Sequence, residues 1–204
     1  MTAWRALGLG LAVLALAACA PQRIRQDDAT LRAQSEREAA LRDATRWTLS
    51  GRLAVSNGDD GGNAQIEWRQ DGRRYDLVLA APVTGKRWHI HGDEDSATLE
   101  GARETPIVER DAASLLEREV GWHVPVVELE YWVRGLRAPH GKAELVFDER
   151  QLPATLKQAG WTIEYRDWFD DSASGGTAAV LPRKVFATRG KYRVRLFIED
   201  WQAR

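Results

Sequence analysis

The sequence has one cysteine, one methionine and no excess of either charge: 29 Lys and Arg face 30 Asp and Glu over 204 residues. A lone thiol cannot close an internal disulfide, so no covalent framework holds the fold. Balanced charge leaves no basic footprint, which excludes nucleic acid as an expected partner. A single Met excludes an adaptable, Met-rich binding surface. Long apolar runs are missing too. The longest, Leu7 to Leu16, has about ten residues, half of what a spanning helix needs. There is no nucleophile elbow, no phosphate loop and no metalloprotease helix.

The position of the one cysteine is informative. Arg5 supplies a short positive stretch, Leu7 to Leu16 an apolar core, and Ala17 and Ala18 the small residues of a cleavage site, which together read as a signal peptide over residues 1–18. Leu16-Ala17-Ala18-Cys19 resembles the lipobox of bacterial lipoproteins. There the thiol receives a diacylglycerol and the new amino terminus is acylated. The alternative is an ordinary signal cut at an A-x-A site with an incidental cysteine beside it. Two or more chains give stable membrane attachment. Asp after the cysteine retains many bacterial lipoproteins in the inner membrane. Ala20 and Pro21 stand here, so the expectation is the periplasmic face of the outer membrane.

Residues 19–46 read as a charged, lipid-anchored tether. Asp27 or Asp28 can cap a helix, and Asp28–Arg32 and Glu38–Arg42 are i,i+4 pairs. Its apolar stripe is thin, Ile24, Leu31 and Leu41, so a largely solvated helix is expected. No heptad is sustained, and the chain is expected to be a monomer.

At Trp47 the period changes to two. "WTLSGRLAV" puts Trp47, Leu49, Leu53 and Val55 on one face; "NAQIEWRQ" does the same with Ala64, Ile66 and Trp68; and Asp71-Gly72 signals a hairpin into Tyr75, Leu77 and Leu79. Further short strands follow to Val108. The middle is helical: Asp111 caps "AASLLEREV" with Leu115 and Leu116 buried, and Pro125 opens "VVELEYWVRGL" with Val126, Leu129, Val133 and Leu136 on one stripe. Strands then resume, ending in "YRVRLFIEDW", with "DDSASGG" as a flexible loop. The expected architecture over 47–204 is mainly β with some α: about ten or eleven antiparallel strands with two helices inserted midway. A sheet that long must curl strongly or close, and the helical stripes are best covered by its concave side.

The sharpest metal-ligating pattern is His89-Ile90-His91, whose imidazoles share a strand face. A third ligand would be His123, His140 or a nearby acid such as Asp93. The plainer reading is two polar residues on an outer face whose inner face carries Trp88 and Ile90. On the metal-site reading a periplasmic hydrolase using His89 and His91 is a rival function. Nine Trp residues suit either a large core or a greasy pocket.

The lipobox, "WTLSGRLAV", "AQIEW" (64–68), "LAAPVTG" (79–85), "YWVRGL" (131–136) and the closing "YRVRLFIEDW" occur in an order that resembles the LolB family of outer-membrane lipoprotein insertases. The resemblance implies an unclosed antiparallel barrel with helices as a lid over a hydrophobic cavity. It also implies a non-enzyme without cofactors that accepts acylated lipoproteins from the periplasmic carrier LolA and places their acyl chains among outer-membrane phospholipids. Cavity and lid positions would then be Leu53, Val55, Ile66, Trp68, Leu77, Leu115, Leu116, Leu129 and Val133. The family's protruding loop carries an exposed apolar residue, often Leu. The matching residue is Val83, between Pro82, which ends ladder pairing, and Gly85, which permits the return turn. The alternative from another class is a lipid-anchored structural or assembly factor of the outer membrane with a packed barrel.

Overall fold

The computed structural model describes residues 28–170 and 179–203. The signal stretch, Cys19 and most of "DDSASGG" lie outside them.

Helix α1 (Asp28–Asp43) leads into strands β1 (Arg46–Ser56), β2 (Gly61–Asp71), β3 (Arg74–Ala80), β4 (Arg87–Gly92), β5 (Ala97–Glu100) and β6 (Ile107–Glu109). Helix α2 (Ala112–Leu115) continues as a π-helical turn (Leu116–Val120), and α3 (Val126–Trp132) follows. Then come β7 (Ala143–Phe147), β8 (Pro153–Gln158), β9 (Trp161–Trp168), β10 (Pro182–Arg189) and β11 (Tyr192–Ala203).

The strands form one antiparallel sheet in the order β6-β5-β4-β3-β2-β1-β11-β10-β9-β8-β7. Two hairpin meanders therefore meet where β1 pairs with β11, and the chain's middle falls at the two outer edges. β6 and β7 do not pair with each other, so the sheet stays open. The segment joining those edges has to cross the opening, and this is where α2 and α3 lie. Period-two burial explains the rest. Along β2 the residues Ala64, Ile66, Trp68 and Gln70 are buried while their neighbours face outward.

Alternation slips by one residue in β8, β9, β10 and β11, and β11 shows how. Leu196 and Ile198 are buried, but the next inward residue is Trp201. A bulge causes this: Ser50 opposes Asp200 and Gly51 opposes Ile198, so Glu199 is the extra residue. Gly51 is required there, because a Cβ would lie 2.1 Å from the Phe197 carbonyl oxygen. The bulge places Trp201 beside Trp47, whose ring also meets Trp68, each pair with centroids 5.4 Å apart.

The helix expected before β1 forms and is exposed over most of its residues, but it is docked rather than free. One face of α1, Thr30, Gln34, Glu38 and Leu41, is buried, while Leu31 faces solvent. The interface is polar and was invisible to an apolar count. The Glu38 carboxylate accepts two bonds from the Arg137 guanidinium at 2.8 Å. Arg37 donates to the carbonyls of Gly135 at 3.0 Å, Arg134 at 2.8 Å and Val180 at 2.8 Å. These include the free carbonyls that follow α3, so α1 docks by capping another helix.

Candidate functional site

The concave face is apolar from end to end. Leu53, Val55, Ile66, Trp68 and Leu77 project into it from the strands. Leu115, Leu116, Leu129 and Val133 project from the helices, and all nine are at most 7 % exposed. They form one continuous core. In this closed arrangement the helices fill the concavity, and Trp132 illustrates how. Its ring is fully buried, and its Nε1 donates to Gln158 Oε1 at 3.1 Å. Gln158 also accepts from the Ala138 amide and donates to the Ala138 and His140 carbonyls at 2.8–3.0 Å. This sews the chain after α3 onto β8. All eight described Trp residues are buried. Most of the Trp content is therefore core packing.

Two of the eight do more. Trp88 and Trp122 meet edge to face at 5.5 Å where the sheet's end approaches the π-helical turn. With Val120, Ala81 and Pro82 they line a cavity of about 550 Å³ that opens to solvent, within the range of ligand sites. Trp122 lies against β2 through Gly62, where a Cβ would fall 2.6 Å from its ring. The signal in the sequence was the pair Gly61-Gly62 inside a strand, which marks close approach. A smaller recess of about 290 Å³ lies on the other side of Pro82, against Leu53, Ala64 and Phe197.

The β3–β4 loop borders this mouth. The Ala81 amide donates to the Lys86 carbonyl at 2.8 Å and the Gly85 amide to the Ala81 carbonyl at 2.9 Å. Gly85 has φ +66°, the left-handed region that suits glycine. Val83 is held at the tip, 98 % exposed, with Pro82, Lys86 and Arg87 exposed around it. It does not tuck back onto the sheet. An isolated apolar tip among cations is a shape suited to a bilayer surface.

The lid's two ends are held differently. Arg134, following α3, is buried with its guanidinium 5.4 Å over Trp47, and Nη1 donates to the Leu41 carbonyl at 2.9 Å. Burial lowers its pKa and takes that of Arg37 down to about 10. At the other end Asp111 Oδ1 accepts from the Ser114 amide at 2.8 Å and caps α2. Ion pairs with exposed arginines, Arg103–Glu119 at 2.9 Å and Arg118–Glu109 at 2.6 Å, flank the π turn.

His89 and His91 lie on the convex face, as the position of Trp88 and Ile90 requires. Neither His123, His140 nor Asp93 joins them. His123 stacks on Tyr192 at 4.4 Å, the His140 carbonyl serves Gln158, and Asp93 accepts from the amides of Asp95 and Ser96 in its turn. The neighbours are instead Glu100 and Asp76, brought in by register across β5 and β3. The hydrogen bond to Asp76 chiefly raises the His89 pKa.

The family profile described as Outer membrane lipoprotein LolB matches residues 45–201. The chain belongs to the LolB family. The outer-membrane lipoprotein LolB of Xanthomonas campestris pv. campestris is 37 % identical over 206 residues, covering 94 % of this chain and 93 % of the relative. That of Xylella fastidiosa is 34 % identical over 169 residues, covering 82 % and 76 %. Among solved structures, a LolA superfamily protein from Nitrosomonas europaea superposes with a TM-score of 0.51 at 8 % identity, over 84 % of this chain and 93 % of that one. An outer membrane lipoprotein-sorting protein domain from Vibrio parahaemolyticus gives 0.50 at 11 %, over 85 % and 92 %. At such identities the likeness is one of fold: an unclosed antiparallel sheet with inserted helices. As a member of the family the chain is an outer-membrane lipoprotein. Among the described residues no helix is long and apolar enough to cross a membrane.

Proposed function

We propose that this protein receives acylated lipoproteins from the periplasmic carrier LolA and inserts them into the outer membrane, where acyl chains on its own Cys19 hold it. The observation that carries the reading is the apolar mouth at Trp88, Val120 and Trp122 opening beside the exposed Val83 tip. A 16-carbon chain left in water costs on the order of 12 kcal/mol, at about 0.8 per methylene. A receptor for such chains needs apolar surface when loaded and must hide it when empty. An open sheet with a helical lid does both. Leu115, Leu116, Leu129 and Val133 occupy the space that acyl chains take once the lid lifts. No step breaks a covalent bond, so no catalytic group is required.

The filled interior favours a second reading, a lipid-anchored assembly factor whose barrel stays packed. A transfer assay separates the two. Purified carrier loaded with acylated cargo is mixed with the protein, then with liposomes. Cargo moving first to the protein and then to the bilayer supports the insertase. Cargo that stays on the carrier supports the packed factor.

A further inference from the structure

We infer that His89, His91 and Glu100 form a binding site for a borderline divalent transition metal, zinc being the expected occupant, with Asp76 orienting His89. The site lies on the convex face, apart from the apolar interior and its mouth, and is independent of the proposed lipoprotein transfer.

Three adjacent strands build it. His89 and His91 stand two apart on β4, Glu100 is paired with His89 across β5, and Asp76 with His91 across β3. One ring nitrogen from each histidine and a Glu100 carboxylate oxygen lie within 4.8 Å of one another. Among the described residues this is the only such group of three.

The hydrogen bonding says what is missing between them. His89 Nε2 lies 2.9 Å from Asp76 Oδ2. A carboxylate offers only acceptors, so Nε2 carries the proton and donates. In the neutral ring Nδ1 then bears a lone pair, and it points at Glu100 Oε2, 3.5 Å away. Two acceptors facing each other call for a cation between them, which is a second ring proton in the imidazolium or a metal ion on the neutral ring. His91 adds a buried Nδ1 that has no hydrogen-bond partner. A carboxylate–imidazole–metal line of this kind is how metal-binding histidines are commonly oriented.

Two imidazoles and one carboxylate without sulfur suit zinc, nickel or copper rather than magnesium or calcium. Three protein ligands leave a fourth tetrahedral position for water. A solvent groove of about 420 Å³, bordered by Asp76, His89 and His91, gives access. Arg69 and Arg74 border the same groove, and their charge opposes a dication. A bound metal clips β4 to β5, and β4 with β3 carries the Val83 loop.

Titration of the full chain with zinc chloride by calorimetry tests this, with magnesium chloride as control. One equivalent of zinc should bind saturably, raise the unfolding temperature, and be released by a chelator; magnesium should not bind. His91→Ala and Glu100→Gln should each weaken zinc at least tenfold, and Asp76→Asn ten- to hundredfold with the stoichiometry kept. Glu100 is exposed and Asp76 and His91 are half-buried, and circular dichroism checks that the fold persists. The proposal is overturned if wild-type protein shows no saturable zinc binding. It is equally overturned if the double variant His89→Ala, His91→Ala binds zinc as tightly as wild type.

Discussion

Val83→Asp separates folding, uptake and delivery at one residue. The side chain is 98 % exposed and the loop is closed by backbone bonds of Ala81, Gly85 and Lys86. Stability should therefore change by no more than about 0.5 kcal/mol. Val83 stands at the rim of the mouth, and its replacement leaves the Trp88, Val120 and Trp122 walls in place, so uptake from the carrier should persist. Contact with the bilayer should not. Fully burying a Val side chain contributes about 1.5–3 kcal/mol. At about 1.4 kcal/mol per tenfold, losing that contact slows delivery roughly ten- to hundredfold. The carboxylate adds to the loss by pairing with Lys86 and Arg87, each of which otherwise contributes about 1 kcal/mol against anionic headgroups. Val83→Leu adds apolar reach and should deliver as fast as wild type or faster. The assay scores carrier-to-protein and protein-to-liposome steps separately, with thermal unfolding measured on the same preparations. Wild-type delivery by Val83→Asp would refute the reasoning. So would equal loss of both steps in a variant that is still folded.

Leu116→Glu puts a carboxylate under the lid, where Leu116 is 2 % exposed; binding of a fatty-acyl dye, followed by fluorescence titration, should weaken roughly tenfold or more, and unchanged affinity would remove Leu116 from the acyl path. Gly51→Ala sets a Cβ against the Phe197 carbonyl oxygen at 2.1 Å and should cost about 3 kcal/mol in denaturant unfolding; wild-type stability would mean that β1 and β11 pair without the bulge. Burial of Glu38 is the largest single influence on its pKa and pushes it up, but the hydrogen bonds from Arg137 and Gln34 together with the Arg137 charge outweigh it, and the folded value lies below the ordinary one. Such a group stabilises the fold above the unfolded carboxylate pKa of about 4.3, and the gain is lost as pH falls through the lower folded value. Glu38→Gln should therefore cost about 1.5–3 kcal/mol near pH 7, and the gap to wild type should shrink under acid; a gap that stays constant from pH 7 to pH 2 would contradict the pairing.

What could be read from the sequence follows from period and punctuation. Alternation at Leu49, Leu53 and Val55 and again at Ala64, Ile66 and Trp68 reports a half-buried sheet, because each strand has one face in the core. The exposed Val83 was legible because Pro82 and Gly85 bracket it. Two features escaped. α1 docks through Gln34, Glu38 and Arg37, and polar contacts carry no hydrophobic period. The site around His89 depends on Glu100 and Asp76, whose approach is set by strand register, and register is a property of the pairing rather than of any one strand. His123 and His140 are engaged elsewhere, and Asp93, although it borders the same groove, is held by the amides of its own turn.

On the proposed function one end of the lid has to yield, and the contacts distinguish the ends. After α3, buried Arg134 binds the Leu41 carbonyl, Arg37 and Gln34 bind the carbonyls of Arg134 and Gly135, and Gln158 makes four bonds of 3.1 Å or less. Breaking that set strands buried polar groups, at about 1–3 kcal/mol each. The α2 end is held by ion pairs whose Arg103 and Arg118 side chains are 65 % and 52 % exposed, although their partner Glu119 is itself covered, and solvent screens the cations. Beneath them lie Leu115 and Leu116, roughly 1.5–3 kcal/mol each when uncovered. Lifting α2 and its π turn therefore costs several kcal/mol, which an entering acyl chain offsets by covering the same apolar surface. The end that yields is the end beside Trp122, so the lid opens toward the Val83 loop, and the path from cargo uptake to the bilayer runs along one side of the molecule.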